Sequence, residues 1–215
     1  MMKNKDRSGN KNLKWIIAIT LFFLFLIIVV NIYKDNIAGF DDFFYKQISL
    51  LISDKMTSFV KIITNFGSAI SLISITLLTM LLFKNKRYGI LTMINLVVIF
   101  LFNLFLKSVF ARPRPIDINI IEENGYSFPS AHSMVSTAFY GFIIYLITKS
   151  NIDKKQKLIY SLVLGLLIIL ICITRVYLGV HYMSDVLGGL LIAIPYLILF
   201  TTLIDKYLPN KKSTK

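Results

Sequence analysis

The sequence is poor in cysteine, histidine and charged residues, and these shortages narrow its interpretation. The single cysteine, Cys172, excludes an intramolecular disulfide, and its position inside an apolar run indicates a packing role. Only 16% of the 215 residues are charged, whereas soluble domains typically have about 25%. No Pro-rich or Gly-rich linker, low-complexity tract or internal repeat divides the chain. We therefore expect one membrane domain and no separate soluble module.

Long apolar segments, in contrast, are plentiful, since 56% of the residues are hydrophobic. A helix needs about 20 mostly apolar residues to cross a bilayer, and six segments approach or exceed that length. The sequence therefore predicts an all-α membrane protein with six transmembrane helices. The predicted spans are 15–33, 58–83, 88–106, 132–148, 157–173 and 183–204. They form a membrane domain over 15–205, between a basic N-terminal segment, 1–14, and a basic tail, 206–215.

The net charge of +13 is distributed unevenly along the chain. Most of the 24 Lys and Arg residues fall in the two terminal segments and in the connections 84–87 and 149–157. Because cytoplasmic segments of membrane proteins are rich in Lys and Arg, this distribution predicts that both termini are cytoplasmic. The connections expected on the outer side are then 34–57, 107–131 and 174–182. A basic excess that faces anionic lipids does not indicate a nucleic-acid partner.

The first outer connection has a helical pattern of its own. Three charged residues, Asp41, Asp42 and Lys46, alternate there with apolar residues. The apolar residues at helical spacing are Phe40, Phe43, Phe44, Ile48 and Leu51. This pattern predicts an amphipathic helix within 38–55 that lies in the membrane interface. An ordinary helical connection packed on the bundle fits the pattern equally well.

The second predicted span contains Gly67 and Ser68 in its first half. Small residues allow transmembrane helices to pack closely, and glycine weakens a helix interior. We therefore expect a close helix contact or a bend at this point in the span.

Ionisable residues near a bilayer are costly and indicate function, and the last outer connection has several. His181 and Asp185 are four residues apart, which predicts that they share one helical face. A carboxylate bound to one imidazole nitrogen orients the ring and raises the basicity of the other nitrogen, so His181 is a candidate nucleophile or base. Arg175, six residues upstream, is a candidate anion ligand. Alone, a His–Asp pair at this spacing is common on ordinary helices.

The other of the two histidines, His132, also falls at the outer end of a predicted span. It follows Pro129, Ser130 and Ala131 at the start of a helix, where unpaired N–H groups and a partial positive charge bind phosphate. The Ser130 hydroxyl can cap this helix or donate to a phosphate oxygen, and His132 can protonate a leaving oxygen. Two scarce histidines at matched positions indicate a common site.

A cluster of cations stands at the outer end of the third span, and its members are Lys107, Arg112 and Arg114. Snorkelling of these side chains to lipid headgroups is one explanation, and for Arg112 alone it is as good as an anion site. On the side of the membrane where cations are otherwise few, the whole cluster favours an anion site.

Three blocks of residues, in this order, resemble the three-part signature of the type 2 phosphatidic acid phosphatases (PAP2). These are membrane lipid phosphate phosphatases whose site is similar to that of the vanadium haloperoxidases. The blocks are Lys107 with Arg114 and Pro115, then Pro129, Ser130, Ala131 and His132, then Arg175, His181 and Asp185. Two positions depart from the signature, since Ala131 replaces a glycine and Thr174 replaces a serine. Alanine keeps its backbone N–H, so phosphate binding there requires only a negative φ.

The resemblance implies a phosphatase that needs no metal and no cofactor. It implies that His181 attacks phosphorus to form a phosphohistidine, that Asp185 orients it, and that His132 protonates the departing lipid oxygen and then activates water. The residues that it assigns to the phosphoryl oxygens are Lys107, Arg114, Ser130, Ala131 and Arg175. The substrate that it implies is a phosphorylated lipid at the outer leaflet, namely phosphatidylglycerol phosphate, phosphatidic acid or undecaprenyl diphosphate.

Three further residues, Arg112, Tyr177 and Tyr182, are expected to support the site or to contact substrate. Glu122 and Glu123 are expected only to solvate their loop. A non-catalytic binder or transporter of phosphorylated lipid would use the same cationic pocket, and it is the alternative to an enzyme.

Overall fold

The computed structural model describes residues 5–82, 86–116 and 118–208, and every regular element in these ranges is helical. The elements are α1 (Lys5–Tyr33), α2 (Ala38–Ser49), α3 (Asp54–Asn65), α4 (Ala69–Leu82), α5 (Lys86–Phe110), α6 (Ala131–Lys149), α7 (Lys154–Tyr177), α8 (Met183–Ile204) and a short 3-10 helix, Asp205–Tyr207. The predicted all-α fold is confirmed. Parts of the two predicted terminal segments, 1–4 and 209–215, lie outside the described residues.

Five of these helices are long and apolar enough to cross a membrane, and α3 with α4 makes a sixth span when the pair is taken as one helix bent by 46°. The break between α3 and α4 contains Gly67 and Ser68, so the predicted bend is confirmed. A Cβ on Gly67 would lie 2.9 Å from Cδ2 of His132 and 2.8 Å from Cγ2 of Ile171. The glycine therefore allows the break to lie directly against α6 and α7.

Several helices extend further than the hydropathy pattern predicts. α1 begins at Lys5 instead of residue 15, α5 ends at Phe110 instead of residue 106, and α7 ends at Tyr177 instead of residue 173. Hydropathy follows apolar character, whereas a helix continues for as long as its backbone hydrogen bonds do. As a result, Lys107 and Arg175 lie in the last turns of α5 and α7, and not in the connections where the sequence places them. Cations in a last turn interact favourably with the negative end of the helix dipole.

The helix predicted within 38–55 is present as α2, which ends at Ser49. Phe40 and Phe43 are exposed, whereas Asp41 is only 3% exposed. α2 packs against α7 and α8. The helix is therefore both amphipathic and packed on the bundle, so the two alternatives from the sequence are compatible. Its position in the membrane interface stays a prediction.

α6 lies at the centre of the bundle, where it packs against α5, α7 and α8. Every residue from Ser133 to Tyr140 is buried. A Cβ on Gly189 of α8 would lie 3.0 Å from the carbonyl oxygen of Ser130, so the two helices approach at backbone distance, as small residues allow in membranes. The backbone N–H of Ser130 donates to the carbonyl oxygen of Asp185 at 3.1 Å. The N-terminal ends of α6 and α8 therefore meet.

A second close approach lies where the connection between α5 and α6 meets α8. The ring of Phe128 is fully buried between Phe25 of α1, at 5.7 Å between ring centres, and Phe110 of α5, at 5.1 Å. Gly188 faces this ring, and a Cβ there would lie 2.4 Å from Cε2 of Phe128. The confined ring cannot move away from an added methyl group.

Gly188→Ala is therefore expected to lower the stability of the protein by about 1–3 kcal/mol, the usual cost of overpacking. Gly165→Ala on α7 is the matched control, because the described structure has no atom within 4 Å of a Cβ there. Alanine is favoured over glycine in a helix by up to about 1 kcal/mol, so the control should be neutral or stabilising. Thermal denaturation midpoints in detergent measure both effects, and equal midpoints for the two variants would contradict the packing described.

Candidate active site

His181 and Asp185 meet, although not in the way that their spacing predicts. α8 begins at Met183, so His181 precedes the helix, and the prediction of a shared helical face is wrong. The chain turns back at Gly179, where φ is 67°. Asp185 lies in the first turn of α8, and its Oδ2 accepts a hydrogen bond from the backbone N–H of Tyr182 at 2.9 Å. The same Oδ2 is 3.4 Å from Nδ1 of His181.

A serine that the sequence reasoning missed bridges these two groups. Oγ of Ser127 is 3.1 Å from Nδ1 of His181 and donates a hydrogen bond to Oδ2 of Asp185. At the other side of the ring, Nη1 of Arg114 is 3.1 Å from Nε2 of His181. Because a guanidinium can only donate, Nε2 accepts, and Nδ1 carries the proton that it donates to Ser127. The imidazole therefore has an unprotonated Nε2 and a hydrogen-bonded relay to Asp185.

The electrostatics of the site keep His181 neutral. Its side chain is almost fully buried, and this burial lowers the pKa of His181 from the usual 6.5 to about 4, although Asp185 acts in the opposite direction. A histidine with a lowered pKa stays deprotonated until the pH falls towards that value. The neutral imidazole is therefore the form present at pH 7, and it is lost only in acidic solution.

Arg112 links Asp185 to α2. Its Nη1 donates to Oδ1 of Asp185 at 2.7 Å, and its Nη2 donates to Oδ2 of Asp41 at 2.8 Å. Asp41 also accepts from the backbone N–H of Ser184, in the first turn of α8, at 2.8 Å. Burial acts to lower the pKa of Arg112, but the two carboxylates raise that pKa above its usual value. Arg112 is thus a fully charged cation between two buried carboxylates.

Arg114 and Arg175 converge on one carboxylate, that of Glu123. Arg175 is 1% exposed, and its Nη1 donates to Oγ1 of Thr64 on α3 at 2.7 Å while its Nη2 pairs with Oε1 of Glu123. Nη2 of Arg114 is 3.4 Å from Oε2 of Glu123, and burial lowers the pKa of Arg114. The expectation that Glu123 only solvates its loop is therefore wrong. Nε of Arg175 is buried and has no hydrogen-bond partner among the described residues, so it is a candidate donor to an anion.

Lys107 lies beside this group but donates to backbone. Its ammonium donates to the carbonyl oxygen of Tyr126 and, at 3.3 Å, to that of Ser127. The charges of Arg114 and Glu123 both act on this ammonium, so it lies within the same cluster. Lys107 thus supports the turn that presents Ser127 to His181.

The start of α6 has the geometry that a phosphate site requires. Oγ of Ser130 accepts from the backbone N–H of Ser133 at 3.5 Å, so Ser130 caps the helix as the sequence predicts. Ala131 begins the helix with a negative φ, which leaves its backbone N–H able to serve an anion. His132 lies in the first turn, close enough to His181 for the charge of one ring to act on the other. The two histidines therefore lie at the same end of the bundle.

The two tyrosines that the sequence singles out have different surroundings. The hydroxyl of Tyr177 is 2.9 Å from Oγ1 of Thr57 and accepts from the backbone N–H of Ser53 at 3.3 Å, so it fixes the start of α3. The ring of Tyr182 lies 4.1 Å from the guanidinium of Arg112, measured from the ring centre. Tyr182 therefore packs on a cation of the site, whereas the hydroxyl of Tyr177 binds a neighbouring connection.

Four residues of the site are absent from the sequence prediction, and they are Asp41, Thr64, Glu123 and Ser127. Asp41, Thr64 and Ser127 are separated from their partners by 54 to 143 residues. Glu123 lies 52 residues from Arg175 and 9 from Arg114, and neither separation is a helical or strand spacing that predicts a contact. Ser127 lies two residues before the Pro129 of the second signature block, which is the one positional signal among the four.

Comparison with known proteins agrees with this geometry. The model of the PAP2 superfamily matches residues 87–208, which is more than half of the chain. The chain belongs to the PAP2 superfamily. It is 30% identical over 176 residues to phosphatidylglycerophosphatase B of Bacillus subtilis, a match that covers 80% of this chain and 86% of that protein. It is 25% identical over 185 residues to undecaprenyl-diphosphatase of Sulfolobus acidocaldarius, which covers 83% of this chain and 84% of that protein.

The solved structures give the same result. The crystal structure of a transmembrane PAP2-type phosphatidylglycerolphosphate phosphatase from Bacillus subtilis matches with a TM-score of 0.82 at 27% identity. This match covers 91% of the present chain and 98% of the other. The predicted family, fold and enzyme class are confirmed, and the chain is a multi-pass membrane lipid phosphatase of the PAP2 superfamily.

Ser127→Ala is expected to lower kcat by about tenfold to a hundredfold, because it removes the hydroxyl between His181 and Asp185. Release of phosphate from a lipid substrate at saturating concentration measures the effect. Ser108→Ala is the control, since the Ser108 hydroxyl bonds to the carbonyl oxygen of Phe105 in its own helix. A rate for Ser127→Ala that equals the control would show that the bridge has no part in turnover.

Asp41→Asn is expected to lower kcat by about tenfold while KM changes little, because Arg112 loses one of its two carboxylates and shifts relative to Asp185. The neighbouring Asp42→Asn is a matched control, since Asp42 is exposed on the same helix. Both kinetic constants and the denaturation midpoint are measured together. A lower midpoint with an unchanged kcat would mean that Asp41 serves stability alone.

Proposed function

We propose that this site hydrolyses a phosphorylated lipid through a phosphohistidine on His181. The observation that carries the proposal is a neutral imidazole whose Nδ1 bonds through Ser127 to Asp185 and whose Nε2 lies 3.1 Å from the Arg114 guanidinium. A nucleophile in this state attacks phosphorus without first losing a proton. The relay to Asp185 stabilises the positive charge that the imidazole acquires on phosphorylation.

The proposed reaction has two steps. In the first, Nε2 of His181 bonds to phosphorus while the bond from phosphorus to the lipid oxygen breaks, and His132 gives its proton to that oxygen. In the second, His132 takes a proton from water as the water oxygen attacks phosphorus. The P–N bond then breaks, inorganic phosphate leaves, and His181 returns to its neutral form. The proton that His132 gives in the first step is thus recovered from water in the second.

Positive groups are proposed to stabilise the charge that develops on the phosphoryl oxygens. The assigned groups are Lys107, Arg114, Arg175 and the start of α6 at Ser130 and Ala131. The buried Nε of Arg175, which has no partner among the described residues, supports this assignment. Arg112 is bonded to two carboxylates, so we assign it to the positioning of Asp185.

The names of the relatives support two of the candidate substrates. Phosphatidylglycerol phosphate is the lipid in the name of the Bacillus subtilis protein, and undecaprenyl diphosphate is the lipid in that of the Sulfolobus acidocaldarius protein. Phosphatidic acid is the third candidate, from the family itself. The distribution of Lys and Arg supports cytoplasmic termini and a site that opens on the extracytoplasmic side.

Wild-type protein in detergent is expected to release phosphate from at least one of these lipids with EDTA present. His181→Asn is expected to lower this release by about a thousandfold or more, because the nucleophile is lost. A rapid quench in base during turnover of substrate labelled in its phosphate should leave label on the wild-type protein and none on His181→Asn.

Two results would contradict the proposal. The first is the absence of release from all three lipids, and the second is release that survives in His181→Asn. If that variant kept both lipid binding and biological activity, the protein would be a binder or transporter of phosphorylated lipid.

A further inference from the structure

The connection between α5 and α6 has two adjacent glutamates with different surroundings. Glu122 is exposed, whereas the side chain of Glu123 is 27% exposed and its carboxylate pairs with both Arg114 and Arg175. These are the two guanidiniums that the proposed function assigns to the phosphoryl group. A carboxylate presents two oxygens to such donors, as a phosphate does. Glu123 and a bound phosphoryl group therefore compete for the same donors.

We propose that Glu123 is an internal competitor of the substrate phosphate at Arg114 and Arg175, and that it sets the affinity of the site for phosphoryl anions. The inference rests on the proposed function, since it takes these arginines as the phosphate ligands. A phosphoryl anion has to displace the carboxylate before it binds Nη2 of both guanidiniums. The site's affinity for substrate, for phosphodiester headgroups and for inorganic phosphate is therefore weakened together.

The displacement needs only a rotation of the Glu123 side chain. The backbone on either side of Glu123 is held, because Arg114 donates to the carbonyl oxygens of Asn124 and Gly125 at 3.1 and 3.0 Å, and Ile120 donates to Leu178 at 2.9 Å. The side chain of Glu123 is partly exposed to solvent and has three rotatable bonds. It can therefore leave the arginines for water while the loop stays in position.

Such a competitor has two consequences for a phosphatase in a membrane. Phosphodiester headgroups surround the protein in large excess, and a weakened site binds few of them. The inorganic phosphate formed in each turnover has to leave two guanidiniums, and the returning carboxylate replaces it there. Glu123 thus keeps the site available at the cost of affinity for its substrate.

The test compares wild type, Glu123→Gln and the matched control Glu122→Gln. Glutamine has nearly the same shape but no charge, so the KM for lipid substrate and the inhibition constants of inorganic phosphate and phosphatidylglycerol should all fall by about fivefold in Glu123→Gln. Glu122→Gln should leave all three constants unchanged. Glu123→Asp keeps the charge on a shorter side chain that cannot bond to both arginines, and an intermediate fall is expected.

A KM and a phosphate inhibition constant that stay unchanged or rise in Glu123→Gln would overturn the inference, because Glu123 would then hold the arginines in place. Calorimetric titration of the wild type and Glu123→Gln with inorganic phosphate gives the same comparison without turnover. If wild type releases phosphate from lipid but Glu123→Gln does not bind phosphate more tightly, the inference alone fails. If wild type releases none, the proposed function fails.

Discussion

The end of the bundle that holds the site depends on the burial of one carboxylate, that of Asp185. Removing a carboxylate from water is costly unless its oxygens are paired and hydrogen-bonded. Asp185 is 0% exposed, and it accepts from the Arg112 guanidinium, the Ser127 hydroxyl and the Tyr182 backbone. These donors come from both sides of the α5–α6 connection and from the start of α8. The hydrogen bonds that stabilise this one buried carboxylate thus bring together the segments that form the site.

The two arginines of the α5–α6 connection, Arg112 and Arg114, differ in their acidic partners. Arg112 bonds to two carboxylates, whose negative charges offset its positive charge. It therefore forms a bridge from α2 to α8. Arg114 and Arg175 share the single carboxylate of Glu123, so the pair has a surplus of positive charge beside His181. An anion is therefore attracted to the second pair and not to Arg112. Residues of the same type two positions apart differ because their acidic partners differ.

Apolar segment lengths are sufficient to predict the spans, because the bilayer imposes one length on each of them. The signature blocks predict His132, His181 and Asp185 at one end of the bundle, because all three lie at ends of spans. Helix ends are less predictable. The hydropathy pattern ends the fifth span at residue 173, whereas the helix continues to Tyr177 and therefore includes Arg175. The amphipathic pattern of α2 predicts that Asp41 faces solvent, whereas Asp41 is buried. Its partners lie 71 and 143 residues away. Contacts over such separations depend on packing and not on local sequence.

The position of Asp41 makes α2 a part of the site. Its carboxylate accepts from Arg112 and from the first turn of α8, where the positive end of the helix dipole also favours an anion. Phe40 and Phe43 of the same short helix are exposed. The ion pair with Arg112 and the hydrogen bond from Ser184 tie this helix of 12 residues to the site. If α2 left this position, Arg112 would lose a partner and Asp185 would lose part of its support. The guanidinium of Arg112 thus joins α2 to the carboxylate that lies beside His181.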